Sequence, residues 1–239
     1  MSNDERMKEP APQHEGRTAT FRGIQLENLD KDTSLSHSRF IETNKGIEQL
    51  EALFDRDKAS LTPEQFEQVS ALSSVANFNY QVCNGGLDQY FANRMDKERP
   101  PFNEQDVKHL DKEGQLAMLD ELLDFGREVY PEQELMNERL DRIIRDFDRS
   151  AYVEDEYVDE DYDYGPEMVV DAPHDFDTRY YLVNDYLETL MEGYAQYLNK
   201  EIDRSLDGLV QEAKERLKDK ESREEPKAAK DRKDPGLER

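Results

Sequence analysis

The stretch Cys83-Asn84-Gly85-Gly86-Leu87-Asp88-Gln89-Tyr90-Phe91-Ala92-Asn93 is the one place where a glycine pair meets a dense run of apolar and amide side chains. It reads as the end of one helix followed at once by the start of another. Upstream, Thr62-Pro63-Glu64-Gln65 supplies an N-cap Thr, a proline at the first helical position and a Gln at the third. This is a combined cap and capping box, so a helix begins near Pro63. Its apolar positions, Phe66, Val69, Leu72, Val75, Ala76, Phe78 and Val82, recur at three and four and bury one stripe. Gly85 or Gly86 then offers the left-handed conformation that closes such a helix at little steric cost. Leu87, Tyr90 and Phe91 can turn back onto the core. Asn84, Gln89 and Asn93 can hydrogen-bond the backbone groups that a tight corner leaves unpaired. From the residues alone the stretch is a structural corner, with a ligand site as the alternative.

Outward from this corner the pattern stays helical. Phe40, Ile41, Ile47, Leu50, Leu53 and Phe54 mark a first core helix, with Gly46 weakening its middle. Beyond Asn93, Pro100-Pro101 enforces a loop. Asn103 then caps a short helix through Val107 and Leu110. Leu116 to Val129 form another helix, which Pro131 separates from a strongly amphipathic one carrying Leu140, Ile143, Ile144 and Phe147. Helix resumes near Asp177 with Val183, Leu187, Leu190, Met191, Tyr194, Leu198 and Ile202 on one face. The stripe extends through Leu206 to Leu217, with Gly193 and Gly208 as weak points. The fold class is therefore all-α, a single compact helical domain over 40–217. Residues 1–39 read as mostly disordered, although Phe21, Ile24, Leu26 and Leu29 form an apolar cluster that can dock as an arm. Residues 218–239 read as a disordered mixed-charge tail.

Composition sets the class. Hydrophobic residues make up 35% of the 239 and charged residues 37%, which fits one core with long solvated segments better than two cores. The formal charge is -25. Residues 214–239 hold ten bases against eight acids, a net of +2, so the rest carries -27. Direct binding to nucleic acid or an anionic membrane is disfavoured, and a basic protein is the favoured partner. A lone Cys83 excludes an internal disulfide and fits a reducing cytoplasm, and neither a membrane span nor a signal peptide is expected, so the expected location is cytoplasmic.

From 151 to 175 the helical period fails, and the segment reads as an extended acidic loop. Seven of the ten residues from Glu154 to Asp163 are acidic: Glu154, Asp155, Glu156, Asp159, Glu160, Asp161 and Asp163. Tyr157 and Tyr162, with Tyr152 and Tyr164, add aromatic surface suited to anchoring an interface. Asp159, Asp161 and Asp163 fall at calcium-loop positions one, three and five, but Tyr164 replaces the glycine at six and Val170 the Glu at twelve, so no metal is expected. Cys83 near a helix C-terminus is disfavoured as a thiolate, and the four histidines are far apart. Neither a phosphate loop nor a Ser-His-Asp order occurs, so a non-enzymatic protein without cofactors is expected.

Asn84-Gly85-Gly86-Leu87-Asp88-Gln89-Tyr90-Phe91-Ala92-Asn93 resembles the Asn-Gly-Gly-aromatic-x-Gln-aromatic-Phe-x-Asn signature of a bacterial all-helical family that includes DNA-mimic proteins. Leu87 stands where that family usually has Phe. Phe176-Asp177-Thr178-Arg179-Tyr180-Tyr181 is similar to the Asp-x-x-Tyr-Tyr opening of the family's last helix. The resemblance spans about 40–200 and implies an acidic decoy, a homodimer and a basic DNA-binding partner such as a transcription factor or nucleoid protein. Seven carboxylates on ten extended residues span at most ~33 Å, about one per 5 Å. A duplex strand carries one charge per ~3.4 Å. Mimicry thus needs a second row, from helix faces such as Asp120, Glu121 and Asp124, or Glu132, Glu134 and Glu138, or from a second protomer. An immunity or antitoxin-like cap on a basic toxin, and a loop that only solvates the protein, are the competing readings.

Overall fold

The computed structural model describes residues 16–29, 48–95, 112–155, 167–171 and 173–228. In chain order its elements are β1 (Arg17–Phe21), β2 (Ile24–Leu29), α1 (Glu48–Phe54), a 3-10 turn (Lys58–Ser60), α2 (Pro63–Met95), α3 (Lys112–Val129), α4 (Glu134–Arg149), β3 (Ala151–Asp155), β4 (Glu167–Asp171), α5 (Phe176–Tyr180) and α6 (Asn184–Ala228). The fold is all-α, decorated by two antiparallel strand pairs, β1–β2 and β3–β4. The expected helix from Asn103 and the first residues of the helix expected from Phe40 lie outside the described residues.

The core is laid down around α6. Tyr186, Leu187, Leu190, Met191, Tyr194, Ala195, Tyr197, Leu198 and Ile202 are all buried, so this part of the helix carries a broad apolar face that must be enclosed. Helices α1, α2 and α3 and strand β2 pack against it. Two aromatic groups fill the interior, Phe21, Phe125, Tyr194 and Tyr197 on one side and Phe78, Tyr90, Phe147 and Tyr180 on the other. Gly193 is no weak point, because a Cβ there would stand 2.9 Å from the Phe125 ring.

Caps explain where the helices start. Thr62 and Gln65 close the expected capping box, the Gln65 amide donating to Thr62 Oγ1 (3.2 Å) and the Thr62 amide to Gln65 Oε1 (3.0 Å). Helix α1 is capped from a distance, since the Glu192 carboxylate accepts from the amides of Gln49 (2.8 Å) and Leu50 (3.3 Å).

Three expected boundaries need correction. Residues 17–29, within the segment expected to be mostly disordered, form a hairpin, and the apolar cluster expected to dock does so, with Phe21, Leu26 and Leu29 buried in the core. Arg22 and Gly23, both at positive φ, make its two-residue turn. Arg17 pairs with Glu132 and Arg22 with Glu121, pinning both ends of β1. The interval 151–175 is not one extended loop, because its flanks pair in register from Ala151–Asp171 to Asp155–Glu167 and α5 starts at Phe176. Helix α6 does not stop at Leu217 but runs to Ala228. Glu, Lys and Arg are good helix formers, so the charged run after Leu217 continues the helix.

Candidate functional site

The glycine corner is a break inside α2. Gly85 is extended (φ -162°), while Gly86 takes φ 78°, ψ -177°, a region open in practice only to glycine. The helix restarts at Leu87, whose amide donates to Asp177 Oδ1 at 2.9 Å. Asp177 therefore caps the second half of α2 from another element, and a Cβ on Gly86 would meet its Oδ2 at 2.3 Å. Tyr181 donates toward the carbonyls of Val82 and Cys83 (3.4 and 3.3 Å), and Tyr180 donates to Asn79 Oδ1 at 2.6 Å. The two stretches singled out in the sequence thus meet and stitch one corner.

The division of labour differs from the expected one. Backbone groups at the corner are met by Asp177 and Tyr181, whereas Gln89 donates to Gln81 Oε1 (3.1 Å) and Asn84 and Asp88 are exposed. Leu87, Tyr90 and Phe91 are buried as expected, with Tyr90 donating to Gln115. Asn93 lies on α2, and its side chain is outside the described residues. Burial pushes the Cys83 thiol up to about 11, with Glu188 and Asp185 adding to the rise, so it stays protonated at neutral pH.

No family model, curated protein or solved structure matches the chain.

The acidic tract leaves the body at the end of α4. Glu154 and Asp155 close β3, while Glu156, Tyr157, Asp159, Glu160, Asp161, Tyr162 and Asp163 lie outside the described residues. The packing of α3 on α4, the helix that leads into the tract, sets Asp141 and Asp148, with Asp124, close enough to act on Asp120. The Asp120 carboxyl is held above its ordinary value, first by burial and then by Asp124, Asp141 and Asp148, with Arg127 opposing. Arg127 pairs with Asp124 (3.4 Å) and Arg145 with Asp141 (2.6 Å), so the row is partly neutralised. Two members of the expected second row are engaged internally: Glu121 with Arg22 and Tyr194, and Glu132 with Arg17. Glu134 and Glu138 are exposed at the start of α4. Sequence reading missed Asp141 and Asp148 because only the packing of α3 on α4 places them beside Asp120.

Among the described residues no three His, Cys, Asp or Glu side chains converge as a metal site. Nor, among them, is any helix long and apolar enough to cross a membrane.

Proposed function

We propose that the chain is a non-enzymatic acidic decoy, a DNA mimic whose carboxylates occupy the phosphate-binding Arg and Lys of a basic DNA-binding protein. The observation that carries this reading is the gathering of Asp124, Asp141 and Asp148 around Asp120 where α3 packs on α4, just ahead of the acidic tract, in a body of net charge -27 outside residues 214–239. Like charges held together make the ionised form of a carboxyl costlier, and an approaching cation relieves that cost. Asp120 and Asp124 are one helical turn apart, about 6 Å, and Asp141 and Asp148 two turns, about 10.5 Å. The helical row alone is sparser than a duplex strand, so it acts with the tract from Glu154 to Asp163.

The test is capture from a bacterial lysate at low and high salt, with duplex DNA as competitor. Wild type is compared with one variant carrying amides at the seven tract carboxylates and another carrying Asp120→Asn, Asp124→Asn, Asp141→Asn and Asp148→Asn. The expected result is a basic DNA-binding protein that is displaced by DNA and by salt and is recovered poorly by either variant. Equal recovery by all three baits, or capture only of a basic protein indifferent to DNA, such as a toxin, rejects the reading.

A further inference from the structure

A cavity of about 180 Å³ opens beside the glycine corner, between the first half of α2 and α6. Ala76 and Met191 line it with carbon, Tyr80 adds its ring, and Asn79, Asn84 and Glu188 supply the polar groups. Tyr80 is 61% exposed, so its ring is open to a ligand. The Glu188 carboxylate is held in place, because Asn79 Nδ2 donates to its Oε1 at 3.1 Å. Asn79 is itself fixed at its other end, accepting from Tyr180 (2.6 Å) and from the Cys83 thiol (3.8 Å). A short apolar channel, an aromatic face and a preoriented carboxylate suit a compact cation on an aliphatic stem. The local field has the matching sign, since Glu188 and Asp185 both disfavour a thiolate at Cys83.

We infer that this cavity receives one lysine side chain of the basic partner, its methylenes against Ala76, Met191 and Tyr80 and its ammonium at Glu188. The inference deepens the decoy reading and rests on it for the identity of the partner. A buried cationic anchor would give the complex a fixed register, which a diffuse acidic surface does not supply.

The probe is n-butylammonium chloride, titrated at constant ionic strength into the full-length ¹⁵N-labelled protein, with n-butanol as the uncharged control. Saturable shifts are expected at the side-chain amides of Asn79 and Asn84 and the backbone amides of Tyr80 and Cys83, and n-butanol should not reproduce them. Glu188→Gln keeps an acceptor for Asn79 and should weaken binding ~10-fold or more. Tyr80→Leu should weaken it several-fold, and Glu134→Gln, an equal loss of charge elsewhere, should leave it unchanged. Unsaturating shifts spread over the acidic surface, or equal binding by Glu188→Gln, overturn the site. Glu188→Gln is then used as bait in the DNA-competed capture. Reduced recovery supports the anchor, whereas undiminished recovery rejects it as a partner contact and leaves the decoy reading standing. A wild-type bait that captures no DNA-competed protein fails the decoy reading itself and the lysine assignment with it, whatever the titration shows.

Discussion

Gly86 and Asp177 illustrate how one residue constrains another that is distant in sequence. The φ of 78° and the 2.3 Å approach of Asp177 Oδ2 are independent reasons why no side chain fits at Gly86. Gly86→Ala should therefore destabilise the protein by ~2–3 kcal/mol in urea unfolding. Asp177→Ala, which removes the cap on Leu87, should cost ~1 kcal/mol. Because the two sites touch, Gly86→Ala should cost less in the Asp177→Ala background, by ~0.5 kcal/mol or more; strict additivity would show that Asp177 does not press on the glycine. The Cys83 thiol gives a pH signature. It rises from 9.0 to about 11 in the folded chain, so its contribution to stability is complete below pH 9. Between pH 9 and about 11 the unfolded chain has released a proton that the folded chain retains, and stability falls as pH rises. Cys83→Ala should flatten that decline in unfolding measured at several pH values. At this scale the sequence was readable where chemistry is local: the two glycines announced the break. The cap on Leu87 was not, because Asp177 reaches it only through the fold.

At the scale of elements, apolar period identified α2, α3 and α4, and the capping box fixed where α2 starts. Thr62→Ala should cost ~1 kcal/mol by opening the capping box on α2. The strand pairs escaped the sequence reading for a different reason. A β1–β2 turn of Arg22 and Gly23 lacks the Asn-Gly usual for two positive-φ positions, and the hairpin is held by partners on α3 and α6. The end of α6 was missed because a mixed-charge run was read as disorder, although its residue types favour helix. Beyond the body that helix makes little contact: Leu209, Val210 and Leu217 are 59%, 49% and 62% exposed. Removing residues 209–239 should accordingly change the unfolding free energy by less than ~0.5 kcal/mol, whereas a loss of several would mean that this segment packs on the core.

For the molecule as a whole, the formal charge of -25 sets both the proposed partner and the response to salt. Raising NaCl from ~10 mM to ~150 mM shortens the Debye length from ~30 Å to ~8 Å. Self-repulsion of the body should weaken more than the exposed ion pairs do, so the thermal midpoint should rise; a fall would mean that pairs such as Arg22–Glu121 dominate. Charge sign was legible from composition, but the grouping of Asp120, Asp124, Asp141 and Asp148 needed the packing of two helices. The length of α6 has a consequence for motion in solution. Its 45 residues span about 67 Å, against about 45 Å for the diameter of a compact 239-residue globule. A monomer should therefore diffuse as a rod-bearing particle and elute from a sizing column ahead of a sphere of 28.0 kDa. It should also tumble anisotropically, so amides of α6, whose N–H bonds lie along the long axis and reorient only by end-over-end tumbling, will relax as though they belonged to a larger protein than those of the hairpins.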